Sequence, residues 1–504
     1  MPSLLPDSGG PTLRTHPGLP AARDIAGLDA LLILLPVNGA PPRRLPESDR
    51  WRALHAREPA RAGEVRATVL ADARGAAAVL GYCKIDATPF ELLSLAGKLV
   101  KQALVLRPDA RRIGILAQPA SAIRRSAWQE ALYAATSAHA FALPSARTIK
   151  AGDPAPKRIT RVDVFGATDA DVQRWQATAD AGNLVRHLTA LPPNVLDAAG
   201  YRRALGTLAR RHGLKLRWYG EPALRRLGAG AFLAVSRGNA SRDAGIAHLS
   251  YRPRGRKALR PDVTLVGKGI LFDTGGTNLK PHRSMLDMHT DMAGSAVALA
   301  SLVALSRMKS PLAADAWLAI TENSIGPKAY RPQEVVRAAN GTTIQVIHSD
   351  AEGRMVLADT LHLAARAKPR LMIDFATLTG ACVYALTERL SGVFTNRDAL
   401  APTLQAAGHD SGERVWHFPL PEDFDADIES AIADVAQCAV EGKGDHILAA
   451  RFLKRFVPDD TPWVHVDLSS ATRRGGLAHV PTDITGFGVR FTLSLLLDQK
   501  RPVI

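Results

Sequence analysis

Between Lys268 and Arg354 the chain gathers four carboxylates, Asp273, Asp291, Asp350 and Glu352, together with Lys280 and the two basic residues that bound the stretch. Lys268 and Asp273 lie among Gly267, Gly269, Gly275 and Gly276, and the later carboxylates close the run His348-Ser-Asp-Ala-Glu-Gly-Arg354. Glycine lets backbone approach a ligand closely and take positive φ. Four carboxylates around one centre repel one another unless cations neutralise them, and carboxylate oxygens suit hard or borderline divalent ions. Two such ions about 3.5–4 Å apart can polarise a carbonyl and activate a water together. Taken singly, each residue also has an ordinary reading. An Asp after a strand caps a helix or closes a turn, a Lys in a glycine-rich turn also suits a phosphate, and an Arg on a helix also makes an exposed ion pair. Folding alone does not demand the whole set in this order.

The elements that must position these residues read as alternating strands and helices, which predicts the α/β class. In the second half, apolar runs at 262–269, 316–321, 343–350, 370–380 and 463–470 read as strands with the candidate residues near their ends. Long apolar helices are expected at 293–308 and 352–367. Open α/β sheets collect ligands beyond the carboxyl ends of their strands. The first half alternates in the same way, with strands at 31–37, 111–118 and 161–167 and helices at 91–106 and 126–143. The expected organisation is two domains. A smaller N-terminal α/β domain spans 1–165 and begins with a loose, Pro- and Gly-rich arm at 1–28. A linking helix spans 166–192, with Thr168 and Asp169 as cap candidates and Pro192-Pro193 as the stop. A larger C-terminal α/β domain, 193–504, has a central mixed sheet flanked by helices and carries the cluster.

The joint pattern resembles the leucyl aminopeptidase family of dinuclear metallopeptidases, the M17 cytosol aminopeptidases. The family signature is usually written NTDAEGR, and this chain has HSDAEGR at 348–354. Further matching segments are LPPNVL at 191–196, AYRPQEVV at 329–336, NGTTIQV at 340–346, ATLTGA at 376–381, FLKRFV at 452–457 and PWVHVDL at 462–468. The resemblance covers about residues 170–504; the first 165 share only general α/β character. It implies a metal-dependent aminopeptidase that removes the N-terminal residue from peptides with a free α-amine, a cytoplasmic location and a homohexamer. It also implies two divalent metal ions per chain, zinc or manganese first, with magnesium and cobalt also suited. Position by position, it makes Asp273 and Glu352 bridges between the metals. Asp350 completes one site, and Lys268 and Asp291 the other. Lys280 polarises the substrate carbonyl, and Arg354 holds a bicarbonate ion that serves as general base. Met288 and the segment Thr377, Leu378, Thr379 and Gly380 would surround the substrate's first residue.

Elementary chemistry agrees with these roles. A lysine ligates a metal only as the neutral amine, so Lys268 in that role needs a depressed pKa, which a nearby dication and burial both favour. Arg354 is no proton acceptor, and its planar fork suits an anion such as bicarbonate. Met288 also reads as a core gap-filler, Cys382 as a small buried hydrophobe, and His289 and His348 as packing residues beside the ligands. Two stretches depart from the family pattern. GKGDHILAA stands at 442–450, where relatives have small residues, and Asp467-Leu-Ser-Ser470 replaces an Asp-Ile-Ala-Gly-like run. Asp445, His446, Ser469 and Ser470 are thus expected to make the pocket floor more polar and to broaden or shift a preference for leucine.

The rest of the composition narrows the alternatives. With 46% hydrophobic and 22% charged residues the chain is not disordered. Three cysteines without CxxC spacing exclude a disulfide framework and a cysteine zinc site and fit a reducing compartment. No signal peptide is evident, and no early apolar run is long enough to span a bilayer. The formal charge of +16 is spread along the chain and densest around Arg202, Arg203, Arg210, Arg211, Arg225 and Arg226. That face reads either as solvated helix surface or as a DNA-contacting surface, and DNA binding through phosphates alone would be steeply salt-dependent.

Overall fold

The computed structural model describes the chain except residues 7–8, 57, 73, 120, 149–157, 168, 256–259 and 500–504. The first sheet contains β1 (Thr12–His16), β2 (Ala30–Pro36), β3 (Val65–Val69), β4 (Ala77–Cys83), β5 (Arg112–Ala117) and β6 (Arg161–Phe165), in the order β1-β6-β5-β2-β4-β3. Neighbours run parallel, except that β3 is antiparallel to β4. The unbroken apolar run of β2 is explained by burial on both faces. Leu32 and Leu34 pack with Leu99 and Leu132, while Leu31, Ile33 and Leu35 pack with Trp51 and Tyr82. Each such side chain contributes roughly 1.5–3 kcal/mol.

The expected loose arm is corrected here. Residues 12–16 form β1, an edge strand parallel to β6, and Leu5 is buried against the second sheet's core. Backbone pairing to β6 orders a segment whose polar side chains carry no core signal.

The second half contains β7 (Lys215–Gly220), β8 (Gly245–Tyr251), β9 (Val263–Asp273), β10 (Ala314–Asn323), β11 (Val335–Arg337), β12 (Thr343–Gln345), β13 (Leu371–Ala376), β14 (Ser391–Thr395), β15 (Val415–His417), β16 (Val435–Ala436) and β17 (Trp463–Asp467). Eight of these form a mixed sheet in the order β15-β14-β17-β13-β9-β10-β8-β7, and β17, β13, β9 and β10 are mutually parallel. Side chains of β9 alternate between two cores. Leu265 and Leu271 meet the helix Ala293–Arg307, and Val266 and Ile270 meet the helix Glu352–Ala365. Gly294 lets the first of these helices lie flush on the sheet, because a Cβ there would stand 2.1 Å from the carbonyl oxygen of Phe375. The helix Asp169–Thr189 joins the two halves: Trp175 lies in the first sheet's core, and Leu184, Val185 and Leu188 lie in the second's. Of its two cap candidates, Thr168 falls outside the described residues.

The run at 343–350 does not enter the large sheet. Only Thr343–Gln345 is a strand, in a small sheet between β11 and β16. The reason is a contact from a distant segment: the Gln437 side-chain carbonyl accepts from the N–H groups of Ile347 and His348, both at 3.1 Å, which turns the backbone out of extended pairing. Asp350 therefore reaches the site from a loop.

Candidate active site

The carboxyl ends of β9, β10, β13 and β17 share one edge, marked by Asp273, Asn323, Thr377 and Asp467. Asp273 ends β9, and its Oδ1 accepts from the Gly275 N–H and from Asn323 Nδ2, each at 2.8 Å. Gly275 has φ +83°, and a Cβ there would stand 2.5 Å from the Asn278 carbonyl oxygen. Only glycine suits that turn, which brings Lys280 back so that its N–H donates to the Thr274 carbonyl at 3.0 Å. Lys280 Nζ then lies 3.0 Å from Asp273 Oδ2 and 2.5 Å from Asp350 Oδ1.

Lys268 sits inside β9, 3% exposed. Its Nζ lies 2.8 Å from Asp291 Oδ1, 2.8 Å from Glu352 Oε1 and 3.0 Å from the Thr377 carbonyl oxygen. Asp291 arrives from one face of the sheet, just before the helix Ala293–Arg307. Glu352 arrives from the other, as the first residue of its helix. All five expected ligand residues thus meet through the two lysines, and carboxylate oxygens of Asp273, Asp350 and Glu352 lie within 4.8 Å of one another. Two buried oxygens, Asp291 Oδ2 and Glu352 Oε2, have no hydrogen-bond partner. Buried acceptors are rarely left so, because each costs about 1–3 kcal/mol.

The electrostatics follow from this crowding. Burial, with Glu352 and Asp291 nearby, raises the pKa of Asp273, and burial with Glu352 nearby raises that of Asp291 against the pull of Lys268. Burial also works against a charged Glu352, but Lys268 and Lys280 outweigh it and hold the group below its ordinary value. For Lys268, burial favours the neutral amine, yet Asp291, Glu352 and Asp273 outweigh it and raise the pKa. This is opposite to the depression expected of a ligating amine, because among these side chains the carboxylates alone set the field. Lys280 is raised for the same reason, by Asp273, Glu352 and Asp350 against burial.

Arg354 is 2% exposed on the first turn of the helix that Glu352 begins. Its Nη1 donates to the Gln437 carbonyl at 3.2 Å. Its Nη2 donates to both oxygens of Asp445, at 2.8 and 2.9 Å, and Nε has no partner. The expected substrate residues divide. Thr377 belongs to the cluster, its hydroxyl donating to Asp291 Oδ1 at 2.7 Å. Leu378 is held through its backbone, its N–H donating to Asp467 Oδ1 at 3.2 Å, and its side chain packs on the core. Thr379 donates its hydroxyl to Asp467 Oδ2 at 2.7 Å and caps the helix Gly380–Leu386, whose first residue is exposed. Met288 is half-buried in the 3-10 turn Met288–Thr290, which packs on β9 immediately before Asp291.

The expected polar pocket floor is corrected in part. Ser469 and Ser470 are buried, with the Ser469 hydroxyl donating to the Leu390 carbonyl at 2.6 Å. Cys382 is buried beside Ser469, and its thiol is pushed up to about 12 by burial. The half-buried His446 ring packs edge-on to Phe418. Two supporting residues carried no motif signal. Asn323 ties Asp273 to the Ser349 carbonyl, and Gln437 shapes the loop that carries Asp350 while its Nε2 donates to the Ala351 carbonyl at 2.9 Å. A polar residue closing a buried strand was the one available hint for Asn323. The six arginines singled out above are exposed on helix surfaces.

Fold and site together set four carboxylates and two lysines at one parallel sheet edge. Residues 183–493 match the catalytic domain of the cytosol aminopeptidase family, and the chain belongs to that family as a leucyl aminopeptidase-type hydrolase. Curated relatives agree. A probable cytosol aminopeptidase of Synechococcus sp. (strain CC9605) is 38% identical over 356 residues, 69% of this chain and 72% of the relative. Another, of Rhodopseudomonas palustris (strain BisA53), is 35% identical over 422 residues, 82% of each. Among solved structures, the bottromycin maturation enzyme BotP in complex with Mn is 32% identical with a TM-score of 0.79, covering 93% of this chain and 99% of that one. The cytosol aminopeptidase of Coxiella burnetii shares the fold at 24% identity, with a TM-score of 0.78 over 97% of this chain and 99% of that one.

Proposed function

We propose that the chain is a metal-dependent aminopeptidase that hydrolyses the first peptide bond of substrates with a free α-amine. The observation that carries this reading is the pair of unpartnered buried oxygens, Asp291 Oδ2 and Glu352 Oε2, within a set of four carboxylates. Such a donor set fits two divalent ions, which Asp273, Glu352, Asp350, Lys268 and Asp291 would hold between them. Zinc and manganese are the first candidates, and magnesium and cobalt also suit a carboxylate–amine set. When bound, the ions supply Lewis acidity to the scissile carbonyl and the α-amine and lower the pKa of the attacking water.

The chain's own residues do the rest. Lys280 is positioned to donate to the scissile carbonyl oxygen as negative charge develops there, a type of stabilisation commonly worth several kcal/mol. Thr377 orients Asp291 through its hydroxyl, and Asp467 fixes the 377–380 segment, so Met288, Thr377, Leu378 and Gly380 frame the first residue of the peptide. Arg354 meets Asp445 through Nη2 and the Gln437 carbonyl through Nη1, which leaves Nε as the donor through which it would hold the bicarbonate that the family resemblance implies. The catalytic unit is placed at 193–504, beside 1–165 and the linking helix 166–192. The family resemblance supports a homohexamer, and three buried, unpaired cysteines support a reducing cytoplasm. The test is to strip the protein with a chelator and titrate Zn²⁺ or Mn²⁺ back while following release of free amino acid from dipeptides. Activity saturating near two ions per chain supports the reading, and activity that survives stripping contradicts it.

A further inference from the structure

Strand β13 lies between β17 and β9, and its pairing with both stops at nearly the same level: the last registered pairs are Ala376 with Asp467 and Phe375 with Gly267. The Leu468 N–H still donates to the Ala376 carbonyl at 2.8 Å. Beyond it, side chains replace the backbone ladder on each side. From β17 comes Asp467, 1% exposed. Its Oδ1 accepts from the N–H groups of Leu378 and Thr379 at 3.2 and 3.4 Å, and its Oδ2 accepts from the Thr379 hydroxyl at 2.7 Å. Every one of these contacts is donated to the carboxyl group, the pattern that suits its ionised, acceptor-only form. From β9 comes Lys268, whose Nζ donates to the Thr377 carbonyl at 3.0 Å. The Thr377 carbonyl and the Leu378 N–H belong to one peptide unit, and in a planar trans unit they point in opposite directions. That single unit is therefore clamped between a buried carboxylate and a buried lysine. The same residue also reaches Asp291, because the Thr377 hydroxyl donates to Asp291 Oδ1 at 2.7 Å.

We infer that Asp467 is a positioning residue of the metal centre, acting through the Thr377–Leu378 peptide unit on Lys268 and Asp291. The inference rests on the metal-dependent aminopeptidase reading. A lysine that ligates a metal gives up one of its three N–H donors and offers a lone pair instead. An N–H given to the Thr377 carbonyl fixes the direction in which that lone pair points, and the carbonyl is aimed by the grip of Asp467 on the other end of its plane. The Thr377 hydroxyl sets the rotation of Asp291 from the same residue. Contacts to an ionised acceptor are roughly twice as strong as neutral ones, so the carboxylate is the stiff end of the clamp. Groups that orient ligands without touching the metal are commonly worth about 10–100-fold in metal affinity.

The experiment compares wild type, Asp467→Asn, Asp467→Ala, Thr377→Val and the double variant Asp467→Ala with Thr377→Val. Zinc affinity is read by competition with a chelating dye, and the ligand geometry by the visible absorption of the Co²⁺-loaded proteins. Thermal unfolding of the metal-free proteins reports the fold separately. Asp467→Ala should bind zinc about 10–100-fold more weakly than wild type and shift the Co²⁺ bands even at saturating metal. Asp467→Asn should show the same changes at smaller size, because its amide oxygen still accepts from the two N–H groups. The double variant should lose less than the product of the single losses, because both residues act through one peptide unit. A merely structural Asp467 would lower the unfolding temperature and leave affinity and spectrum as in wild type. That result in a folded Asp467→Ala protein overturns the inference, and so do single losses that multiply in full. If Asp467→Ala does not fold, Asp467→Asn decides: wild-type affinity and an unshifted spectrum there overturn it. Wild type that binds the metals yet releases no amino acid from any dipeptide defeats the aminopeptidase reading instead, and the affinities and spectra still decide the role of Asp467.

Discussion

Gly353 leaves room for Lys268 and for nothing else: a Cβ on Gly353 would stand 2.6 Å from Lys268 Cε and 2.7 Å from its Nζ. The lysine on β9 and the helix that Glu352 begins are therefore fitted to each other through a missing side chain. Gly353→Ala should displace Lys268 from Asp291 and Glu352, weakening metal binding about 10–100-fold, as changes beside ligands commonly do. Metal content by mass spectrometry after dialysis, alongside kcat, checks this. Unchanged affinity in a folded variant would show that Lys268 is not held by this contact.

Asn323 holds Asp273 Oδ1 and the Ser349 carbonyl at once. Asn323→Ala removes both donors and frees Asp273 to rotate. Metal affinity should fall about 10–100-fold while the fold persists. Metal titration of the variant beside wild type checks this, and an Asn323→Ala protein that binds metal as tightly as wild type would contradict the positioning role.

Lys280→Ala should lower kcat about 10²–10³-fold, the usual cost of removing one donor to a developing oxyanion, while metal content stays near two per chain. Loss of metal together with activity would make Lys280 a structural partner of Asp273 and Asp350 instead.

Burial and mutual repulsion raise the pKa values of Asp273 and Asp291, so the metal-free protein retains protons there above the ordinary carboxylate range. Metal ligation needs both groups ionised. Loading therefore releases protons, and affinity rises with pH until those groups are ionised without help. Calorimetric titration of metal in buffers of different ionisation enthalpy should report more protons released at about pH 6 than at about pH 8. Release that does not depend on pH would contradict the raised values.

Much of this site was legible before any coordinates. Lys268, Asp273, Asp291, Asp350 and Glu352 stand at spacings that the alternation of strand and helix carries to one sheet edge, and the helices 293–308 and 352–367 announce themselves by their Ala- and Leu-rich content. What was not legible depends on contacts between distant segments. Asn323, Gln437 and Asp467 are single polar residues whose roles exist only once β10, the residue after β16 and the end of β17 lie side by side. The Arg354–Asp445 contact joins residues 91 positions apart, and nothing local to GKGDHILAA identifies its partner. The strand β1 was missed because its order comes from backbone pairing with β6, which leaves no apolar trace. The run at 343–350 reads as a strand of the main sheet until the Gln437 side chain is seen to turn it away.

The most direct measurement of the central claim compares kcat/KM for a dipeptide led by leucine with that for its N-acetyl form, using protein loaded with zinc and protein stripped of metal. The account predicts rapid release of leucine from the free dipeptide by the loaded protein only. It predicts at least about 10²-fold less from the acetylated form, because an acylated nitrogen is a poor ligand and the amine-binding contribution of a few kcal/mol is lost. Comparable cleavage of the acetylated peptide, or undiminished cleavage by the stripped protein, would contradict an aminopeptidase that works through a free α-amine at this metal site.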